Sequence, residues 1–153
     1  MTADRDPQPA DVDDGAGRAA LAAVEAAWNA AAAQWSADAL TGVYTGDALF
    51  FGGRPGHYVG ARAIHGYFAS YDGVITSGHM RLVEQEVRML AADVVLAQGF
   101  VEFAFVLDGA RATRSRLRTT LIVVRQGDGW RIRQHHFSVA PETPPLGDTD
   151  AAQ

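Results

Sequence analysis

The sequence predicts an α+β domain in which helices come first and a long-stranded antiparallel sheet follows. Three observations carry this. An alanine-rich stretch over residues 16–35 sets Leu21, Val24, Trp28, Ala31 and Trp35 at spacings of three, four, three and four, one stripe of a helix. From His79 to Ser138 the chain is rich in β-branched and aromatic residues, alternates with a period of two and contains no proline. The Gly/Asp turn Gln126-Gly127-Asp128-Gly129 folds the last two arms into a hairpin. At 153 residues all of this fits one domain with a real core.

Residues 1–16, acidic and carrying Pro7 and Pro9, are expected to be a disordered leader. The domain is expected over 17–142, with a flexible proline-rich tail over 143–153. In the first helix, Trp28 and Trp35 on a stripe of small residues suggest a helix lying close on a curved sheet, with the indoles as core. Ser36 predicts an N-cap for a short helix from Ala37 to about Val43. Asp47 falls in the turn Thr45-Gly46-Asp47 before a short strand, Ala48 to Phe51, where an Asp ordinarily bonds backbone amides. The glycine- and proline-rich run 51–60 predicts a loop with a brief extended piece at Tyr58-Val59. A second amphipathic helix, Ala61 to Tyr71, turns Ile64, Tyr67, Phe68 and Tyr71 inward. Long strands follow at about 79–90, 94–107 and 112–125, the middle one with Val101, Phe103 and Phe105 toward the core.

Composition excludes several functions. With 48% hydrophobic and 20% charged residues the chain reads as a soluble globular protein. A net charge of −5 and a pI near 5.4 argue against nucleic acid or an anionic membrane as partner. All 13 basic residues are arginine, so Schiff-base lysine chemistry has no residue to use. The absence of cysteine removes disulfides, thiolate nucleophiles and thiolate metal sites. The N-terminus has neither a signal-peptide pattern nor a 20-residue apolar span, and a cytoplasmic location is expected.

The phrases AWNAAAAQWSADALTGVYTGDALFFGG and GDGWRIRQHHFSVAP, within this order of helices and strands, resemble the SnoaL-like, or nuclear transport factor 2-like, superfamily over about residues 18–142. Its SgcJ/EcaC-type subgroup, related to the association domain of calcium/calmodulin-dependent kinase II, is the nearest in wording. The resemblance implies a cone: a curved sheet closed by the N-terminal helices around a pocket. It implies no one activity, because isomerases, cyclases, dehydratases and noncatalytic assembly domains share the fold. Where the kinase domain has histidine, arginine and serine at the end of its last strand, this chain has His136, Phe137 and Ser138, so the arginine that helps hold a carboxylate there is missing. Asp47 and Glu102 are the carboxylates to test for ketosteroid-isomerase-type chemistry.

Candidate site residues concentrate on the last hairpin. Strict alternation from Trp130 and Ile132 makes His136 and Ser138 face inward and His135 outward, unless a bulge shifts the register. An inward His136 could move a proton, with Tyr44 and Asp47 orienting it; His135 is the weaker catalytic candidate. The expected pocket lining is Trp28, Tyr44, Phe51, Tyr67, Phe68, Phe103 and Trp130, with Ser138, His57 and Arg116 as further ligand contacts. Arg54 is a second candidate on the loop of His57. Against a ligand contact at Arg116 stands the favoured reading of the row Arg114, Arg116 and Arg118, on the outer face at a homodimer interface with Glu84, Glu86 or Glu102 as partners. Five scattered histidines without HxH or HxxxH spacing give no metal site, and no cofactor is expected. The reading that follows is an acid-base enzyme on an apolar or polyketide-like metabolite, of isomerase, cyclase or dehydratase type; the alternative is a noncatalytic binding or oligomerisation domain.

Overall fold

The computed structural model describes residues 14–150, so most of the expected leader and the last three residues lie outside it. The element order is α1 (Asp14–Ala32), α2 (Ala37–Thr41), β1 (Tyr44–Phe51), β2 (Tyr58–Val59), α3 (Ala61–Ala69), β3 (Ile75–Ala91), β4 (Val94–Leu107), β5 (Arg111–Gln126) and β6 (Gly129–Ser138). The six strands make one curved, unclosed sheet in the order β2-β1-β6-β5-β4-β3. All neighbours are antiparallel except β1 and β6, which run parallel, with four strands and helix α3 intervening between them in the chain.

The helices cover the sheet's inner face. Leu21, Val24, Trp28 and Ala31 of α1 are buried as the stripe requires, and Ile64, Tyr67 and Phe68 of α3 close the other end. Trp35 lies past the end of α1, half-buried, where its indole N–H donates to the Phe68 carbonyl at 3.1 Å. Ser36 caps α2 by accepting from the Ala39 N–H at 3.1 Å. Ser36→Ala should therefore cost about 1 kcal/mol in urea denaturation, while Ser70→Ala, after α3, should not report on this cap.

A polar row on α1 serves the sheet's open edge. Asn29 accepts from the Met80 N–H at 2.7 Å and donates to its carbonyl at 2.8 Å; Glu25 accepts from the Leu82 N–H at 2.8 Å; Arg18 donates to the Gln85 carbonyl at 3.2 Å. These bonds occupy backbone groups of β3 that would otherwise invite another strand.

Curvature comes from bulges. Val83 pairs with Phe100 and Glu86 with Gln98, so Glu84 and Gln85 stand opposite Gly99 alone. Glu84 takes φ 51°, and a Cβ on Gly99 would sit 2.5 Å from the Glu84 carbonyl oxygen, so this position accepts only glycine. The extra residue shifts the alternation: Met80 faces in before it, Gln85 and Val87 after it.

Candidate active site and cavity

The same device decides which histidine enters the cone. On β6, Ile132 pairs with Val123 but Gln134 pairs with Ile122, which leaves Arg133 as an extra residue. Across the other edge, Tyr44 pairs with Ile132 and Leu49 with Gln134, so residues 45–48 of β1 stand opposite Arg133. Asp47 joins the two irregularities: it accepts from Thr45 Oγ1 at 2.9 Å and from Arg133 at 2.9 Å. Beyond the bulge His135 and Phe137 face in, and His136 is exposed. Strict alternation predicted the reverse, and it fails because one residue slips out of the ladder between Ile132 and Gln134. Phe137 gains most from that slip, since its ring joins Phe50 and Phe103 in the core.

His135 is fully buried, and its Nδ1 lies 2.8 Å from the Tyr44 hydroxyl. Burial, helped by the neighbouring His136, pulls its pKa from 6.5 down to about 3, so the imidazole is neutral at physiological pH. Burial also pushes the Tyr44 hydroxyl far above its ordinary range. The pair sits among Phe50, Phe68 and Phe137. Two polar atoms beside it lack hydrogen-bond partners: His135 Nε2 and the indole Nε1 of Trp28. The indole N–H on the Tyr44 side of the core opposes that rise without making a hydrogen bond to the hydroxyl.

In front of this pair lies a cavity of about 320 Å³. Trp28, Trp35, Phe68, Phe103, Phe105 and Phe137 supply its aromatic walls, with Leu117, Ile75 and Leu107 toward the mouth. Neither Tyr44 nor His135 reaches its surface, because Phe137 and Phe68 stand between. No charged side chain and no histidine lines it. Gly53 lines the mouth; its N–H donates to the Tyr67 hydroxyl at 2.9 Å, and Arg54 bonds Ser70 while stacking 4.3 Å over Tyr71. These contacts strap the loop 52–57 to α3. At Gly52 a Cβ would meet the Tyr67 ring at 2.5 Å, so the strap needs glycine there.

A model of the SnoaL-like domain matches residues 21–142. The chain belongs to the SnoaL-like domain family. Many solved structures share the fold of this SnoaL-like domain, among them the following three. A Xanthomonas campestris protein named for the calcium/calmodulin-dependent protein kinase II association domain is 22% identical, with TM-score 0.71, over 80% of this chain and 87% of that one. A hexachlorocyclohexane dehydrochlorinase from Novosphingobium barchaimii is 17% identical, with TM-score 0.65, over 94% and 99%. A nuclear transport factor 2-like superfamily protein from Salmonella enterica is 15% identical, with TM-score 0.63, over 84% and 100%. At these identities the likeness shows the cone fold alone. Among curated proteins, none matches.

Within the SnoaL-like domain the expected site residues divide. Trp28, Tyr67, Phe68 and Phe103 line the cavity, and Tyr44 and His135 lie just behind its wall. The others face elsewhere. His136 and Ser138 border an open groove on the outer face with Glu84, Glu86 and Arg118, as the bulge requires. Phe51, one residue past the inward Phe50, is exposed and sandwiched between His57 at 4.5 Å and His136 at 5.1 Å. Asp47 is exposed, its carboxyl held below the usual range by the Thr45 hydroxyl and then by Arg133, so it buttresses β1 from outside. Trp130 sits under Arg125, 4.6 Å away, at the turn end of β6. Arg116 lies on the outer face, as expected for the arginine row, and not at the cavity as a ligand contact; it is bonded to Glu84 and, at 3.1 Å, to Glu102, and Arg81 also holds Glu102, at 2.6 Å. Among the described residues no group of three or more metal-ligating side chains comes together. Phe137, Tyr71 and Leu117 were missed as lining; Phe137 was hidden by the register error, and Leu117 was legible from the alternation of Thr119, Leu121 and Val123.

Proposed function

We propose that the chain binds a compact, mainly apolar or aromatic small molecule in the cone cavity. The observation that carries this is a preformed space of about 320 Å³ walled almost wholly by aromatic and aliphatic side chains, at the small end of the range for ligand pockets. Stacking and burial would supply most of the affinity. Titrating the protein with naphthalene and following tryptophan fluorescence should give saturable binding, because Trp28 and Trp35 both line the space. Leu117→Trp, which fills the mouth, should weaken that binding at least about tenfold. Binding that does not saturate, or that ignores the substitution, would sink the proposal.

A second reading, acid-base catalysis without a cofactor, is favoured by one feature, the neutral imidazole of His135 with an unpartnered nitrogen beside the Tyr44 hydroxyl. It moves the proton carrier from His136 to His135. The dehydrochlorinase among the structural relatives keeps an eliminating enzyme within reach of the fold. The outer face, with its Arg81–Glu102–Arg116–Glu84 chain, remains the surface we propose for a homodimer. No helix among the described residues is long and apolar enough to cross a membrane.

A further inference from the structure

Buried polar atoms are nearly always hydrogen-bonded, and an orphan costs on the order of what a whole hydrogen bond contributes. Two orphans lie in the aromatic interior, Trp28 Nε1 on the cavity wall and His135 Nε2 behind it, on the ring whose Nδ1 meets the Tyr44 hydroxyl. The cavity's other polar side-chain atoms on this wall have partners: the Trp35 N–H is given to the Phe68 carbonyl, and the Tyr67 oxygen accepts from the Gly53 N–H. Phenylalanine at 44 and 135 would suit so aromatic an enclosure without any such penalty. The polar pair is therefore a feature that packing does not account for.

Its proton arrangement follows from the neighbours. Among the described residues the only hydrogen-bond partner of the Tyr44 hydroxyl is His135 Nδ1, so donation from Tyr44 is the arrangement that leaves fewest groups unpaired: with Nδ1–H as donor instead, the tyrosine proton would have no acceptor. A neutral imidazole that accepts at Nδ1 carries its proton at Nε2, so the orphan is a donor. Between it and the cavity stands Phe137, whose ring lies 5.1 Å from His135 and lines the cavity on its other side. Phe137 sits two residues on along β6, one residue before the strand's end at Ser138.

We infer that the cavity's ligand carries a carbonyl-type acceptor oxygen, which enters past Phe137 and takes the Nε2–H of His135. The inference rests on the cavity reading above and narrows it to an aryl ketone or a molecule of like shape and polarity. Only the oxygen's acceptor character is recognised here; the carbon frame is held by the aromatic walls.

The test is calorimetric titration of the full chain with two probes of one shape, 2-acetylnaphthalene and 2-ethylnaphthalene. The ketone should bind about tenfold more tightly, the margin of one buried hydrogen bond. His135→Phe should bring the ratio to about one, and His135→Gln, which keeps an N–H in the same region, should retain part of it and guards against a misfolded phenylalanine variant. Equal affinity for the two probes in the native chain overturns the acceptor inference alone, leaving the nitrogen to an internal water. A preference that survives in His135→Phe overturns it as well. If neither probe binds the native chain, the cavity reading itself falls, and this inference with it.

Discussion

Lowering the pH from 6.5 toward 3 is expected to destabilise the protein through His135 alone by as much as about 5 kcal/mol. The sign follows from proton counts. The unfolded histidine takes up a proton as pH falls through about 6.5, while the folded one, held neutral by burial, does not do so until about 3. Throughout that window the unfolded state binds the extra proton, so stability is full above the upper value and declines at up to about 1.4 kcal/mol per pH unit below it. Typical domains have only about 5–15 kcal/mol in all, so acid should unfold this one early. Carboxylates held low by arginines, such as Glu102, add their own loss at the acid end, which makes the comparison with a variant necessary. Urea midpoints measured from pH 7 to 4 should fall more steeply for the native chain than for His135→Phe. The unpaired Tyr44 hydroxyl in the variant gives only an offset, because that group stays protonated throughout. Parallel curves would show that His135 is solvated or charged in the folded state, and the buried pair would then be misplaced.

The second large effect separates two adjacent phenylalanines. Phe50 is 1% exposed and its ring meets those of Tyr44, Tyr58, Tyr67, Phe68, His135 and Phe137, so it ties α3, β2 and β6 to the pair behind the cavity. Truncating it removes both transfer energy and the packing of six neighbours, and Phe50→Ala should cost about 3–5 kcal/mol. Phe51 is 42% exposed and touches only His57 and His136 on the outer face among the ring contacts. Phe51→Ala should therefore shift stability by less than about 1 kcal/mol. Denaturation of the two variants side by side checks the facing of β1. Similar losses, or a larger loss at Phe51, would mean the strand presents its other face to the core.

The contrast between those neighbours also marks where reading from sequence succeeded. The α1 stripe, the Ser36 cap, the α3 stripe and the outward arginines of β5 all followed from periodicity, because each depends on a run of residues whose geometry is set locally. β1 was legible only in part: the strand begins at Tyr44, ahead of the turn assigned to Thr45-Gly46-Asp47, since pairing with Ile132 extends it through that irregular stretch.

Residue pattern was enough for the class of fold, for the cone its phrases resemble, and for the aromatic character of the interior. The facing of the site residues came from long-range packing. One residue, Arg133, leaves the β6 ladder, and every side chain after it changes face: His135 goes in to Tyr44, Phe137 walls the cavity, and His136 goes out to Phe51. The physical reason is that a strand's facing is a parity, which a single bulge inverts, and the bulge is set by what the neighbouring strand and the far core can pack against rather than by the residues beside it.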